Sequence, residues 1–145
     1  MALRGRLQIA HLDNWLLDAE HGQMIHLIEI VESAIVSSQD EIVIRDAFDR
    51  LITWTVKHFA HENDHMLYTR FHAAQDHIAH HHQLIDMLKG FVTANSDENI
   101  GVPDAMQFLE DWLVHHIETD DRVLADFLAS RTPRWRVSKK SDGGA

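Results

Sequence analysis

Residues 41–66 read EIVIRDAFDRLITWTVKHFAHENDHM, a stretch in which apolar side chains recur at steps of three and four residues. This spacing predicts one long amphipathic helix. Its inward stripe comprises Ile44, Phe48, Leu51, Thr55, His58, Glu62 and Met66. Because an α-helix turns by about 100° per residue, His58 and Glu62 fall about 20° to either side of Leu51. The helix therefore directs an imidazole and a carboxylate into the core, one turn apart.

Three further stretches show the same periodicity, and short polar segments separate them. They predict helices over about 13–38, 71–94 and 103–130. The connections are residues 37–40, a break near Tyr68 and residues 95–102. Connections this short make consecutive helices antiparallel. The fold class that we predict is all-α, an antiparallel up-down-up-down four-helix bundle over residues 11–130.

The composition fits one domain with a real core, since the chain has 145 residues and is 45% apolar. Lys and Arg number 13 against 23 Asp and Glu, and a net charge of −10 argues against nucleic acid as a partner. The absence of cysteine excludes disulfides, thiolate metal sites and cysteine nucleophiles. No apolar run approaches the roughly 18 residues of a membrane span. The first residues also lack a secretory signal, so we expect a cytoplasmic protein without a membrane partner.

Residues 131–145 differ from the rest, because five basic side chains fall within ten positions. These are Arg131, Arg134, Arg136, Lys139 and Lys140. Pro133 prevents simple continuation of the fourth helix. We expect a basic tail or linker, partly disordered, and the alternative is a contact with an acidic partner or with a following domain.

Histidine is unusually frequent, with 13 residues, and several histidines lie on the apolar stripes. His21 is central on the first helix, and His77 and His81 stand one turn apart on the third. On the fourth helix, His116 is followed by two acidic residues, at positions 120 and 121. When residues are counted from the ends of antiparallel helices, these side chains fall at the same level of the bundle as His58 and Glu62. All four helices are thus expected to deliver polar groups to one layer of the core.

Other histidines are expected to point away from this layer. His61 and His65 also form an HxxxH pair, but they lie off the apolar stripe and are expected to be solvated or to support the layer from outside. His80 and His82 flank His81, but successive side chains of an α-helix point about 100° apart, so three consecutive residues cannot all face one site.

A metal centre explains the inward polar layer. Burying five imidazoles and two carboxylates without compensation costs several kcal/mol per charge, and coordination removes that cost. Imidazole with carboxylate suits iron, zinc, copper or nickel. Seven ligands are too many for one tetrahedral zinc, but they suit two octahedral ions that share two carboxylates and leave one position open. For the acidic ligand on the fourth helix, helical geometry alone prefers Asp120 to Asp121.

Four ordered motifs resemble those of the hemerythrin family, in its bacterial type. They are Asp18-Ala-Glu-His21, His58-Phe-x-x-Glu62, His77-x-x-x-His81 and Trp112-Leu-x-x-His116-Ile-x-x-x-Asp121. Each motif alone is common, whereas the ordered set with both carboxylates is specific, and it spans nearly the whole predicted bundle. The five-residue step of the family motif selects Asp121 as the acidic ligand.

The resemblance implies a non-haem di-iron centre with five histidine and two carboxylate ligands. One iron would be held by His77, His81 and His116, and the other by His21 and His58. The bridging ligands would be Glu62, Asp121 and an oxo or hydroxo group. In the family, the iron with two histidines keeps an open position, where O2, small anions or NO bind.

Three functions are compatible with such a site. We favour reversible O2 binding for storage, delivery or detoxification. The alternative is an O2- or redox-sensing input domain that acts on a C-terminal output domain of a larger signalling protein. An enzyme such as a peroxidase or iron oxidase is disfavoured, because carboxylate-rich ligand sets are typical of di-iron oxidases and this set is rich in histidine.

Overall fold

A computed structural model describes residues 11–37, 40–93 and 102–131 of the chain. The helices are α1 (Trp15–Ser37), α2 (Glu41–Tyr68), α3 (Ala74–Thr93), α4 (Val102–His116), a π-helical turn (Ile117–Asp121) and α5 (Arg122–Arg131). The last three elements follow one another without a break and form one rod. Four helical rods result, and the described ranges contain no strand. The prediction of an all-α helical bundle is confirmed.

Ring contacts define the direction of the last rod relative to α3. The rings of Phe91 and Phe108 lie 5.1 Å apart, and those of His81 and His116 lie 5.0 Å apart. Residue numbers fall along α3 as they rise along the last rod, so the two are antiparallel. In addition, α1 packs on α2 and on α4, and α2 packs on α3.

The first helix begins later than the predicted residue 13. Asp13 has φ 56°, which lies outside the right-handed helical region. Asn14 then caps the helix, because its side-chain oxygen accepts a hydrogen bond from the Leu17 N–H at 3.1 Å. Asp40 caps α2 in the same way, accepting from the Ile42 N–H at 2.9 Å.

A tight turn near the predicted break at Tyr68 separates α2 from α3. Arg70 occupies the left-handed region at φ 57°, and the Phe71 N–H donates to the Met66 carbonyl at 2.9 Å. This arrangement is typical of helix C-termini. It delays the start of α3 from the predicted residue 71 to Ala74.

Two apolar clusters pack along the bundle, and a polar layer interrupts them. On α2, the buried His58 and Glu62 lie between Phe48 of the larger cluster and Met66 of the smaller one. On the last rod, the buried Asp121 lies three residues before Leu124 of the smaller cluster. The polar layer is therefore enclosed by apolar packing.

Some predicted features lie partly outside the described residues. The predicted tail continues the helix as far as Arg131, and its remaining positions lie outside the described residues, as do residues 38–39 and 94–101 of the connections. In the parts of the chain that are described, no helix combines the length and apolarity needed to cross a membrane.

Candidate metal centre

Seven side chains from all four rods converge in one buried cluster. Each is at most 4% exposed, and they are His21, His58, Glu62, His77, His81, His116 and Asp121. These are the seven residues predicted as metal ligands. The structure brings all of them together, at the level of the bundle that the antiparallel register predicted.

The cluster divides into two overlapping groups of possible ligand atoms, each with all its atoms within 4.8 Å of one another. The three-histidine half consists of His77, His81 and His116 with both carboxylates. The two-histidine half consists of His21 and His58 with the same two carboxylates. Glu62 and Asp121 thus belong to both halves, as expected for groups that bridge two ions.

Each shared carboxylate divides its two oxygens between the halves. Oε1 of Glu62 lies 3.3 Å from Nε2 of His77, whereas Oε2 lies 2.8 Å from Nε2 of His58. Oδ1 of Asp121 lies 3.1 Å from Nε2 of His77, and Oδ2 lies 2.8 Å from Nε2 of His21. One oxygen of each carboxylate is therefore available to each of two cations.

The polar atoms that face one another in the cluster are not satisfied by the protein. All four oxygens of Glu62 and Asp121, and the Nε2 atoms of His21, His58 and His77, have no hydrogen-bond partner among the described residues. They approach one another without the alignment of a hydrogen bond. Buried polar groups are normally paired, so this donor set fits cations placed between the side chains.

Glu20 holds a histidine of the two-histidine half from outside. Its Oε1 lies 2.8 Å from Nδ1 of His58, and its Oε2 lies 2.9 Å from Nδ1 of His61. A proton on Nδ1 of His58 leaves Nε2 free to bind a metal. Sequence reasoning did not single out Glu20, although this residue directly precedes His21; its contact across to α2 was the missing information.

Two further partners support the three-histidine half. Nδ1 of His81 lies 2.8 Å from Oδ1 of Asn63, and Nδ1 of His116 lies 3.3 Å from Oδ2 of Asp120. The same Asp120 oxygen lies 2.8 Å from Nδ1 of His80. These contacts again orient Nε2 toward the centre of the cluster.

An aromatic side chain packs against the three-histidine half. The Phe59 ring is 1% exposed and stacks on the His81 imidazole with 3.7 Å between centroids and 8° between planes. Its centroid also lies 5.5 Å from that of the His116 ring and 6.2 Å from that of the nearly perpendicular Trp112 ring. This packing restrains two of the imidazoles and adds an apolar wall.

The π-helical turn explains which aspartate enters the cluster. On a regular α-helix Asp120 lies nearer the centre of the apolar stripe than Asp121, and this favoured Asp120 as the acidic ligand. Within Ile117–Asp121 the backbone takes one extra residue per turn, and the Arg122 N–H donates to the Ile117 carbonyl five positions earlier. Asp121 is consequently fully buried in the cluster, whereas the side chain of Asp120 remains 27% exposed.

The neighbouring histidines lie outside the cluster, as expected. His61 and His65 are exposed on α2, and His80 and His82 are exposed on α3. Of these four, His61 contacts Glu20 and His80 contacts Asp120.

In the two-histidine half, neighbouring charges shift the pKa of His58 and of Glu62 in the direction opposite to burial. Burial disfavours protonation of His58, yet the Glu62 and Glu20 carboxylates raise its pKa to about 9. Burial and the charge of Asp121 favour a neutral Glu62, but His58 and His77 hold the pKa of that carboxyl below its usual range. Without a cation, protons on the imidazoles balance the carboxylates. Metal uptake therefore displaces protons.

The histidines of the three-histidine half differ in pKa. Burial disfavours protonation of His116, yet the Asp121 charge and the Asp120 contact raise its pKa to about 10. Burial likewise opposes charge on His77, but contacts with Asp121 and Glu62 raise its pKa to about 9. In contrast, burial lowers the pKa of His81 to about 4.

Comparison with known proteins agrees with this geometry. Residues 13–128 match the family model of the hemerythrin HHE cation-binding domain. The chain is 24% identical over 130 residues to a bacteriohemerythrin of Pseudomonas paraeruginosa, covering 89% of this chain and 83% of the relative. It is 28% identical over 127 residues to a bacteriohemerythrin of Ralstonia nicotianae, covering 87% and 89% respectively. No solved structure matches the chain.

Proposed function

The chain belongs to the hemerythrin HHE cation-binding domain family, and from that premise we propose that it is a non-haem di-iron protein that binds O2 reversibly. The observation that carries the proposal is the division of Glu62 and Asp121 between two groups of imidazoles. Two carboxylates with one oxygen toward each group are suited to a pair of ions, and a single ion would leave half of the donor atoms without a partner.

Under this proposal, each half of the cluster holds one iron. His77, His81 and His116 bind the first ion, and His21 and His58 bind the second. Glu62 and Asp121 bridge the two. When bound, the iron pair supplies the electrons and the open coordination position with which O2 is taken up and released.

The protein residues then have the tasks of orientation and exclusion of water. Glu20, Asn63 and Asp120 fix the imidazole rings through Nδ1. Phe59 and the apolar clusters on either side of the polar layer keep the centre dry. We propose binding rather than turnover, because the ligand set is rich in histidine and poor in the carboxylates that di-iron oxidases use.

The proposal is tested on protein loaded with iron under anaerobic conditions. Elemental analysis is expected to find two iron ions per chain. Exposure to O2 is expected to produce a visible absorption band that disappears under vacuum and returns on re-exposure over several cycles. Azide, a small anion, is expected to compete with O2 for the same position.

A matched pair of variants on α2 serves as a control. His58→Ala removes a proposed ligand and is expected to abolish the O2-dependent band, whereas His61→Ala changes an exposed histidine one turn away and is expected to preserve it. One ion per chain, or irreversible oxidation in the first cycle, contradicts reversible O2 binding at a di-iron centre.

A further inference from the structure

A second pair of histidines lies on the outer face of α2, where residues 61–65 read His-Glu-Asn-Asp-His. This is the HExxH pattern, in which two histidines one turn apart on a helix bind zinc together. His61 and His65 are both exposed, and they point about 40° apart around the helix axis, so they share one face. Of the 13 histidines, only this pair and the buried pair His77 and His81 have that spacing.

The glutamate of the pattern, Glu62, lies on a different face of the helix. Its side chain is 1% exposed, and its two oxygens face imidazoles of the buried cluster. In metalloproteases with this pattern, the glutamate beside the zinc is the general base. The outer face of α2 therefore has the two metal-binding imidazoles of the pattern but not its catalytic carboxylate, which suits binding of a metal rather than hydrolysis.

Glu20 orients the first imidazole of the pair. Its Oε2 lies 2.9 Å from Nδ1 of His61, and the histidine side chain is 48% exposed. Because a carboxylate only accepts, Nδ1 carries the proton and Nε2 keeps its lone pair for a metal ion. A carboxylate behind an imidazole fixes the ring and makes the ligand nitrogen more basic, an arrangement typical of metal-binding histidines.

Two imidazoles select the kind of cation. Imidazole suits zinc, nickel and copper, whereas magnesium and calcium take oxygen ligands. The net charge of −10 favours the approach of cations to the surface. Two side chains leave the remaining coordination positions to water, so this pair is expected to bind a metal more weakly than the buried cluster does.

We propose that His61 and His65 form a surface site for one divalent zinc, nickel or copper ion, with Glu20 as the outer partner of His61. The site uses none of the seven side chains of the buried cluster, and it does not depend on which ions the cluster holds. The other oxygen of Glu20 lies 2.8 Å from Nδ1 of His58. The surface ion thus binds beside the same carboxylate that orients a histidine of the two-histidine half.

Isothermal titration calorimetry with Ni²⁺ tests the proposal on the full chain, at mildly alkaline pH where exposed imidazoles are neutral. The buried cluster is unchanged in every variant, so the surface site is measured as a difference between variants. Wild type is expected to bind one more Ni²⁺ ion per chain than His65→Ala at micromolar concentration. His82→Ala removes an exposed histidine of α3 and is expected to match wild type. Equal Ni²⁺ binding by wild type and His65→Ala overturns the proposal.

A matched variant measures what Glu20 adds to the pair. Asp86→His, made together with His65→Ala, pairs His82 with a second exposed histidine one turn along α3. His82 has no hydrogen-bond partner among the described residues, so this pair has the same spacing but no outer carboxylate. The native pair is expected to bind Ni²⁺ about 10-fold more tightly, as for an outer partner of a metal ligand. Equal affinities mean that α2 carries no built site and overturn the proposal.

NMR locates the ion, and circular dichroism first establishes that each variant forms the bundle. At saturating Zn²⁺, the ring signals of His61 and His65 are expected to shift together, and those of His82 are expected to stay in place. A shift of only one of the pair, or of neither, contradicts a shared ion and overturns the assignment.

Discussion

The two halves of the candidate centre use the same two carboxylates but differ in the number of histidines. The three-histidine half brings five side chains within ligand distance of one another, and the two-histidine half brings four. If each half held one iron, five side chains would be available to the first ion and four to the second. The two-histidine half would therefore leave more room for a small ligand.

The halves also differ in what surrounds them. In the three-histidine half, Phe59 stacks on His81 and contacts His116. In the two-histidine half, Glu20 connects the buried His58 with the exposed His61. Phe59 also lies 5.7 Å from the His58 ring, and Asp120 connects the buried His116 with the exposed His80. The halves therefore differ in the imidazole on which Phe59 stacks, and both are linked to the surface through a carboxylate.

The largest effect is expected from removing a carboxylate that both halves share. Glu62→Ala takes one donor atom from each ion and leaves the imidazoles with a single bridging side chain. Iron content by elemental analysis is expected to fall from two ions per chain to nearly none. Asp64→Ala, at an exposed position two residues along α2, is expected to retain both ions. Retention of two ions in Glu62→Ala contradicts bridging by this residue.

The next largest effect is expected to separate the halves. His58→Ala leaves the two-histidine half with three side chains, whereas His81→Ala leaves the three-histidine half with four. We expect His58→Ala to hold one ion per chain and His81→Ala to hold two, one of them more readily removed by a chelator. Elemental analysis after graded chelator treatment measures both. Identical loss in the two variants means that the two halves hold their ions equally well and contradicts a weaker two-histidine half.

The bundle and its polar layer were predictable because they follow from regular helical geometry. Steps of 100° per residue put His58 and Glu62 on the core face of α2, and antiparallel counting put His21 and His77 at the same level. The helix ends were less predictable, because Asp13 and Arg70 occupy left-handed conformations that an apolar pattern does not reveal.

The site contains two features that regular geometry could not supply. A π-helical turn is a local departure from the α-helix, so periodicity favoured Asp120 and only the resemblance to a known motif selected Asp121. Glu20 stands in the quoted motif Asp18-Ala-Glu-His21 but was given no role. Its contact with His58 depends on the distance between α1 and α2, and spacing along one helix does not give that distance.

The two adjacent aspartates of the π-helical turn are expected to differ in their effect on metal affinity. Asp121→Asn removes the charge of a carboxylate that both halves share but keeps one oxygen. Asp120→Asn alters the group that contacts Nδ1 of His116 and Nδ1 of the exposed His80. Loss of an outer partner of a metal ligand typically costs 10- to 100-fold in affinity, so we expect about 10-fold for Asp120→Asn and a larger loss for Asp121→Asn. Chelator competition measures both affinities. The reverse order means that the turn does not select the ligand.

The smallest effect is expected at the link between the two-histidine half and the surface. Glu20→Gln keeps a hydrogen-bond acceptor for Nδ1 of His58 but removes the negative charge. Nε2 of the imidazole then becomes less basic and a weaker ligand for a metal. The more labile iron is expected to bind about 10-fold more weakly, in the range for outer partners. His61→Ala removes only the exposed contact of Glu20 and is expected to leave affinity within about 3-fold, because an exposed pair contributes little. Equal effects in both variants indicate that Glu20 acts through the surface contact and not through His58.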